Sequence, residues 1–146
     1  MKAALLCLLL IVLAASTSPT TQGRNLYGRP TLSNKFTLSL QYAARSGVAL
    51  SSSQGKVYWN NALIATLAPN DYNVHTFTAD VTVVVGTNTL SIQGAGTLDG
   101  NGLCIDNVQL IRSGTNDNVV VNGGFERPAQ NGGWNIYAGI EGWTSD

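Results

Sequence analysis

The chain has 146 residues, with eight basic and eight acidic side chains, 11% charged residues and 44% hydrophobic ones. That balance leaves no basic stripe, which excludes recognition of nucleic acid or anionic lipid through bulk charge. The length fits one ordinary domain.

Residues 1–16 read as a secretory signal peptide. Lys2 supplies a basic start, Ala3 to Ala15 is an unbroken apolar run, and the small residues Ala14, Ala15 and Ser16 follow. The run is 13 residues long, short of the ~20 that cross a bilayer. Cleavage is expected near Ala14 to Ser16, giving an exported protein, secreted or held at the cell surface, with no later membrane span. Loss of Lys2 leaves seven basic against eight acidic side chains, and loss of Cys7 leaves Cys104 alone, so no intrachain disulfide can form. Cys104 is expected to be a buried, inert thiol. Stability then rests on core packing, a metal or association. No Asn-x-Ser/Thr acceptor for N-linked sugar occurs.

Residues 17–24 are a polar linker, and residues 25–112 follow as a β-rich stretch with no amphipathic helix of useful length. FTLSLQY alternates, with Phe36, Leu38, Leu40 and Tyr42 on one face, which predicts a strand with one face buried. KVYWNNALIATL predicts a hairpin turning at Asn60-Asn61, with Val57 and Trp59 inward. VHTFTADVTVVV predicts a long strand closed by Gly86-Thr87-Asn88. In the next strand, TLSIQ, Leu90 and Ile92 point inward. GAGTLDGNG is a glycine-rich loop, LCIDNVQLI a strand, residues 113–118 a connector and NVVV a last strand. In LCIDNVQL the faces of Leu103/Ile105 and Val108/Leu110 are out of phase, which predicts a bulge near Ile105 to Asn107 and an inward Asp106. An inward carboxylate requires hydrogen bonds or a cation. Short strands separated by Gly, Asn and Ser turns point to an all-β antiparallel sandwich or jelly roll.

The chain ends on VVVNGGFERPAQNGGWNIYAGIEGW, residues 119–143. NGGFE followed by GGW and GW resembles the opening of galactose-binding-like jelly-roll modules, the family that includes carbohydrate-binding modules and extracellular tandem repeats. LCIDNVQLI resembles the closing strand of the same fold. The order departs from the family: this chain enters at the middle strands, closes, and then opens again over residues 119–146. Three arrangements stay open: fold-back onto the same chain as in a circular permutant, docking onto the next molecule, or a piece of a longer repeat protein. A strand given to a neighbour's open sheet edge would make a heterologous, propagating contact.

The resemblance also implies a structural calcium where Glu126 of the opening meets Asp106 of the closing strand. Carbohydrate recognition needs aromatic rings for the C–H faces of sugars and polar groups for their hydroxyls. Candidates for stacking are Tyr58, Tyr72 and Tyr137, with Gln41, Arg45 and Asn73 as polar companions. Trp59 and Trp143 read as packing residues. The single His75 reads as a structural hydrogen-bonder, and no nucleophile elbow, zinc-protease helix motif or phosphate loop occurs. No catalytic role is expected. The expected function is a secreted, non-catalytic carbohydrate-binding or adhesive module whose partners are glycans or cell-surface matrix. The alternative is a structural extracellular repeat that self-associates by strand complementation into fibres or a surface coat.

Overall fold

The computed structural model describes residues 11–17 (backbone only), 33–129 and 139–144. Among them the protein is all-β, with two antiparallel sheets, one 3-10 turn at Leu50–Ser52 and no α-helix. The strands are β1 (Ile11–Thr17), β2 (Lys35–Ala43), β3 (Gly55–Trp59), β4 (Ala62–Leu67), β5 (His75–Thr82), β6 (Gly86–Gly94), β7 (Cys104–Arg112), β8 (Gly139–Ile140) and β9 (Trp143–Thr144). One sheet runs β4-β3-β6-β1-β9-β8 and the other β5-β2-β7.

The alternation expected in β2 is present: Phe36, Leu38 and Leu40 are buried. Val57 and Trp59 of β3, Leu90 and Ile92 of β6, and Val108 and Leu110 of β7 join them in one hydrophobic cluster. That cluster draws on both sheets, the layering of a β-sandwich. Each such side chain contributes about 1.5–3 kcal/mol on burial. The Trp59 indole donates to the Thr82 carbonyl at 3.0 Å, tying the end of β3 to the end of β5. Asn60 and Asn61 take φ of 49° and 66°, the left-handed pair a two-residue hairpin requires.

Three local expectations are corrected. The strand expected over residues 74–85 stops at Thr82. Asn88, fully buried, accepts from the Val84 N–H at 2.9 Å and donates to the Val84 carbonyl at 2.9 Å, so its side chain bends the chain at Val83–Val85. Gly86-Thr87-Asn88 opens β6 instead of forming the turn. Second, NVVV forms no strand. Asn118 makes one isolated bridge to Ile111, and its side chain accepts from both Leu110 and Val120 N–H in place of a ladder.

The third correction concerns Asp106. The bulge is there: three residues of β2, Ser39 to Gln41, oppose four of β7, Gln109 to Asp106. Asn107 absorbs the phase change with φ of 48°. Ile105 and Val108 both point inward, and Asp106 is exposed, not turned into the core.

The C-terminal segment folds back on its own chain. The Val108 N–H donates to the Gly123 carbonyl at 2.8 Å and Val119 N–H to the Leu110 carbonyl at 3.0 Å. Val120, Phe125 and Trp143 enter the core, with the Phe125 and Trp143 ring centroids 5.0 Å apart. A Cβ on Gly123 would collide with the Val108 carbonyl oxygen, so the motif's first glycine is a close-approach residue. Asn122 closes the motif: its amide donates to the Arg127 carbonyl at 2.8 Å, its side-chain oxygen accepts from Arg127 N–H at 3.1 Å, and its carbonyl accepts from the Trp143 indole at 3.2 Å. The NGGFE…GW pattern is thereby accounted for by packing. β1 runs between β6 and β9, paired with β6 from Ile11↔Ile92 to Thr17↔Gly86 and with β9 at Val12↔Thr144.

Candidate functional site

Strand directions bring three loops to one end of the two sheets: residues 44–54 after β2, residues 68–74 before β5 and residues 95–103 before β7. The first loop is the hub. It presents backbone carbonyls sideways: Thr97 N–H donates to the carbonyl of Ser51, in the 3-10 turn, at 3.0 Å, and Ala95 N–H to that of Gln54, just after the turn, at 2.9 Å. A Cβ on Gly96 would stand 2.6 Å from the Ser51 carbonyl oxygen, so the glycine-rich loop lies face-on against the turn.

Side chains fasten the same contact. The Ser52 hydroxyl donates to Asp99 Oδ2 at 2.6 Å, Asp99 Oδ1 accepts from Asn101 N–H at 2.9 Å, and Arg45 Nη1 donates to Asn101 Oδ1 at 3.3 Å. The Ser52 hydroxyl, followed by the Asn101 backbone N–H, holds the Asp99 carboxyl below its ordinary range. Leu98, at the tip of this loop, is 88% exposed.

On the other side of the hub, the Tyr72 hydroxyl donates to the Val48 carbonyl at 2.9 Å, which holds in place a ring that is 53% exposed. Its neighbours form a line. Asp71 accepts from the Asn73 backbone and side-chain amides at 2.8 and 2.7 Å and contacts His75 Nε2 at 2.8 Å. His75 stacks on Tyr42 with centroids 5.4 Å apart. The Asn73 side-chain amide, then its backbone N–H and then His75 lower the Asp71 pKa.

Of the residues expected to form a site, Arg45, Tyr72 and Asn73 gather at this end. Gln41 lies on the outer face of the three-stranded sheet, opposite Asp106 and Thr76 in register. Tyr58, opposite in phase to buried Val57 and Trp59, faces outward from the other sheet and does not join them. Tyr137 lies outside the described residues, as does Trp134. Asp71, His75, Tyr42, Asp99 and Asn101 stand at this end as well, beyond the residues expected there. The i,i+4 spacing of Asp71 and His75 and the Asp-x-Asn spacing of residues 71–73 and 99–101 are the signals that point to them.

Asp106 and Glu126 do come to one corner. Asp106 Oδ1 lies 3.9 Å, and Glu126 Cγ 3.8 Å, from where a Cβ on Gly124 would stand. Both are exposed, and Asp106 Oδ1 already accepts the Asn107 N–H at 2.6 Å. Calcium takes six to eight oxygens. Two carboxylates do not complete that set, and among the described residues no group of three or more His, Cys, Asp or Glu could hold a metal ion. Cys104 is half-buried, and desolvation raises its thiol pKa, the direction that keeps it protonated and unreactive.

No protein-family model, no curated protein and no solved structure matches the chain. No helix among the described residues is long and apolar enough to cross a membrane.

Proposed function

We propose that this chain is a secreted, non-catalytic carbohydrate-binding module of the galactose-binding-like jelly-roll type, with its binding end at the loops of residues 44–54, 68–74 and 95–103. The observation that carries this reading is Tyr72: a half-exposed ring pinned by its own hydroxyl to Val48. A pinned ring loses little freedom when a pyranose stacks on it. Beside it stand Asp71 and Asn73, and across the residue 44–54 loop stand Arg45, Asp99 and Asn101, donors and acceptors suited to sugar hydroxyls. Leu98 adds an exposed apolar group at the same end. Such a surface binds and orients; adhesion to a glycan-bearing cell surface or matrix follows from binding alone.

The test is retention in affinity gels containing soluble polysaccharides, and binding on a glycan array. The reading expects retention by at least one polysaccharide, lost in Tyr72→Ala and kept in Tyr58→Ala. Absence of retention on every polysaccharide overturns it.

A second reading, a structural extracellular repeat that self-associates by strand complementation, is favoured by one observation. The segment read as a removable leader contributes β1, which fills the place between β6 and β9. Light scattering of the processed protein across concentrations tests it, and a monomer throughout contradicts it.

A further inference from the structure

β6 is built as an interior strand. Thr89 turns both backbone groups toward Asn60, donating its N–H to Asn60 Oδ1 at 2.8 Å and accepting from Asn60 N–H at 2.8 Å. Backbone direction alternates along a strand, so Asn88, Leu90 and Ile92 direct their N–H and C=O groups to the other side, where β1 runs. That side is occupied at seven register positions. Signal cleavage near Ala14 to Ser16 would remove most of β1 and bare it.

Strands that border open space carry protection: charge, bulges or cover. β4 has a register shift opposite Val57/Tyr58. β5 carries His75 and Asp80. β7 carries Asp106 and Arg112, has its own bulge, and is met by the tail at Asn118 and Gly123. β6 reads GTNTLSIQG, with no charge and no proline, and pairs with β3 without a register shift. Its far neighbour β9 has two residues and meets β1 at one position, so it is a poor replacement for a seven-residue ladder.

We propose that, once the leader strand is removed, the bared side of β6 pairs antiparallel with β6 of a second copy about a two-fold axis. The inference rests on the self-association reading and names its surface and symmetry. A two-fold axis sets a strand antiparallel to its own copy, so each partner presents the same uncharged stripe and the same unpaired Asn88, Leu90 and Ile92 groups. The product is a closed pair, unlike the head-to-tail chain that tail donation would build.

The test uses protein secreted by a host that processes the full chain, with the N-terminus read by intact mass. The expected results are loss of the leader, a mass by light scattering that doubles as concentration rises, and hydrogen-exchange protection of the Leu90 and Ile92 amides only in the doubled form. Thr89→Lys puts a charge at the middle of the residue 86–92 register and returns the protein to monomer with unchanged circular dichroism. Thr87→Lys, at an exposed position, gives the same result without disturbing the core. A retained leader overturns the inference. So does a pair unaffected by either lysine, although self-association by another surface then survives. A monomer at every concentration overturns both.

Discussion

The two ends of the protein spend their polar side chains differently. At the end holding the Asn60-Asn61 turn and Val83–Val85, buried Asn88 and neighbouring Asn60 bond almost wholly to backbone and to each other: Asn88 grips Val84 on both sides, and Asn60 caps Thr89 while donating to Asn88 at 3.1 Å. At the loop end more of the bonds run between side chains at the surface, such as Asp71 with Asn73 and His75, and Asp99 reaches the buried Ser52 hydroxyl. Buried amides of the first kind define a turn. Surface networks of the second kind hold groups in place while leaving ring faces and further lone pairs open to a ligand, which is why the proposed binding end lies at the loops.

Substitutions at the two ends should separate along that line. Asn88→Ala removes a fully buried amide and leaves the Val84 N–H and C=O without their side-chain partner, and should cost about 1–3 kcal/mol in chemical denaturation. Glycan retention per folded molecule should not change. Gly96→Ala sets a methyl against two backbone carbonyls that cannot swing aside, and should cost about 1–3 kcal/mol. Unlike Asn88→Ala, it should also weaken glycan binding, because Leu98, Asp99 and Asn101 move with that loop. If Gly96→Ala binds as the parent does, the glycine-rich loop is not part of the binding end.

Acid sharpens the comparison. The Asp71 and Asp99 carboxyls both have pKa values below the ordinary 3.8 in the folded protein. A depressed carboxyl stabilises the fold above its unfolded pKa, and the contribution is lost as pH falls through the folded one. Melting temperature should therefore drop below about pH 4, less steeply in Asp71→Asn and Asp99→Asn, with the earliest loss of hydrogen-exchange protection in the loops. Equal acid sensitivity of parent and variants would contradict this.

The smallest effect is expected at the Gly124 corner. Asp106→Ala, at an exposed position, should leave stability within about 0.5 kcal/mol. A rise in melting temperature with millimolar calcium that only the parent shows would put a metal there.

Local pattern made much of this architecture legible. The alternation of Phe36, Leu38 and Leu40, the Asn60-Asn61 turn and the bulge in β7 are written in neighbouring residues. The exposed position of Asp106 was not, because alternation shows that a bulge is needed but not which residue takes the left-handed backbone. The end of β5 was hidden for another reason: Val83–Val85 has the composition of a strand, and a buried amide from the next strand overrides it. The tail's fold-back depends on Gly123 meeting Val108 and Trp143 meeting Phe125, contacts no short window contains. At the proposed binding end, Arg45, Tyr72 and Asn73 are recognisable as residue types, whereas the hold of the residue 44–54 loop on Arg45 and Tyr72 appears only once the strands are ordered.

The most direct measurement is NMR mapping of backbone and side-chain shifts during titration with an oligosaccharide from a polysaccharide that retains the protein. The account predicts shifts grouped at Arg45, Tyr72, Asn73, His75 and residues 97–101, with affinity lowered about tenfold or more in Tyr72→Ala. Shifts centred on Tyr58 and the outer face of the six-stranded sheet, with the loops silent, would contradict it.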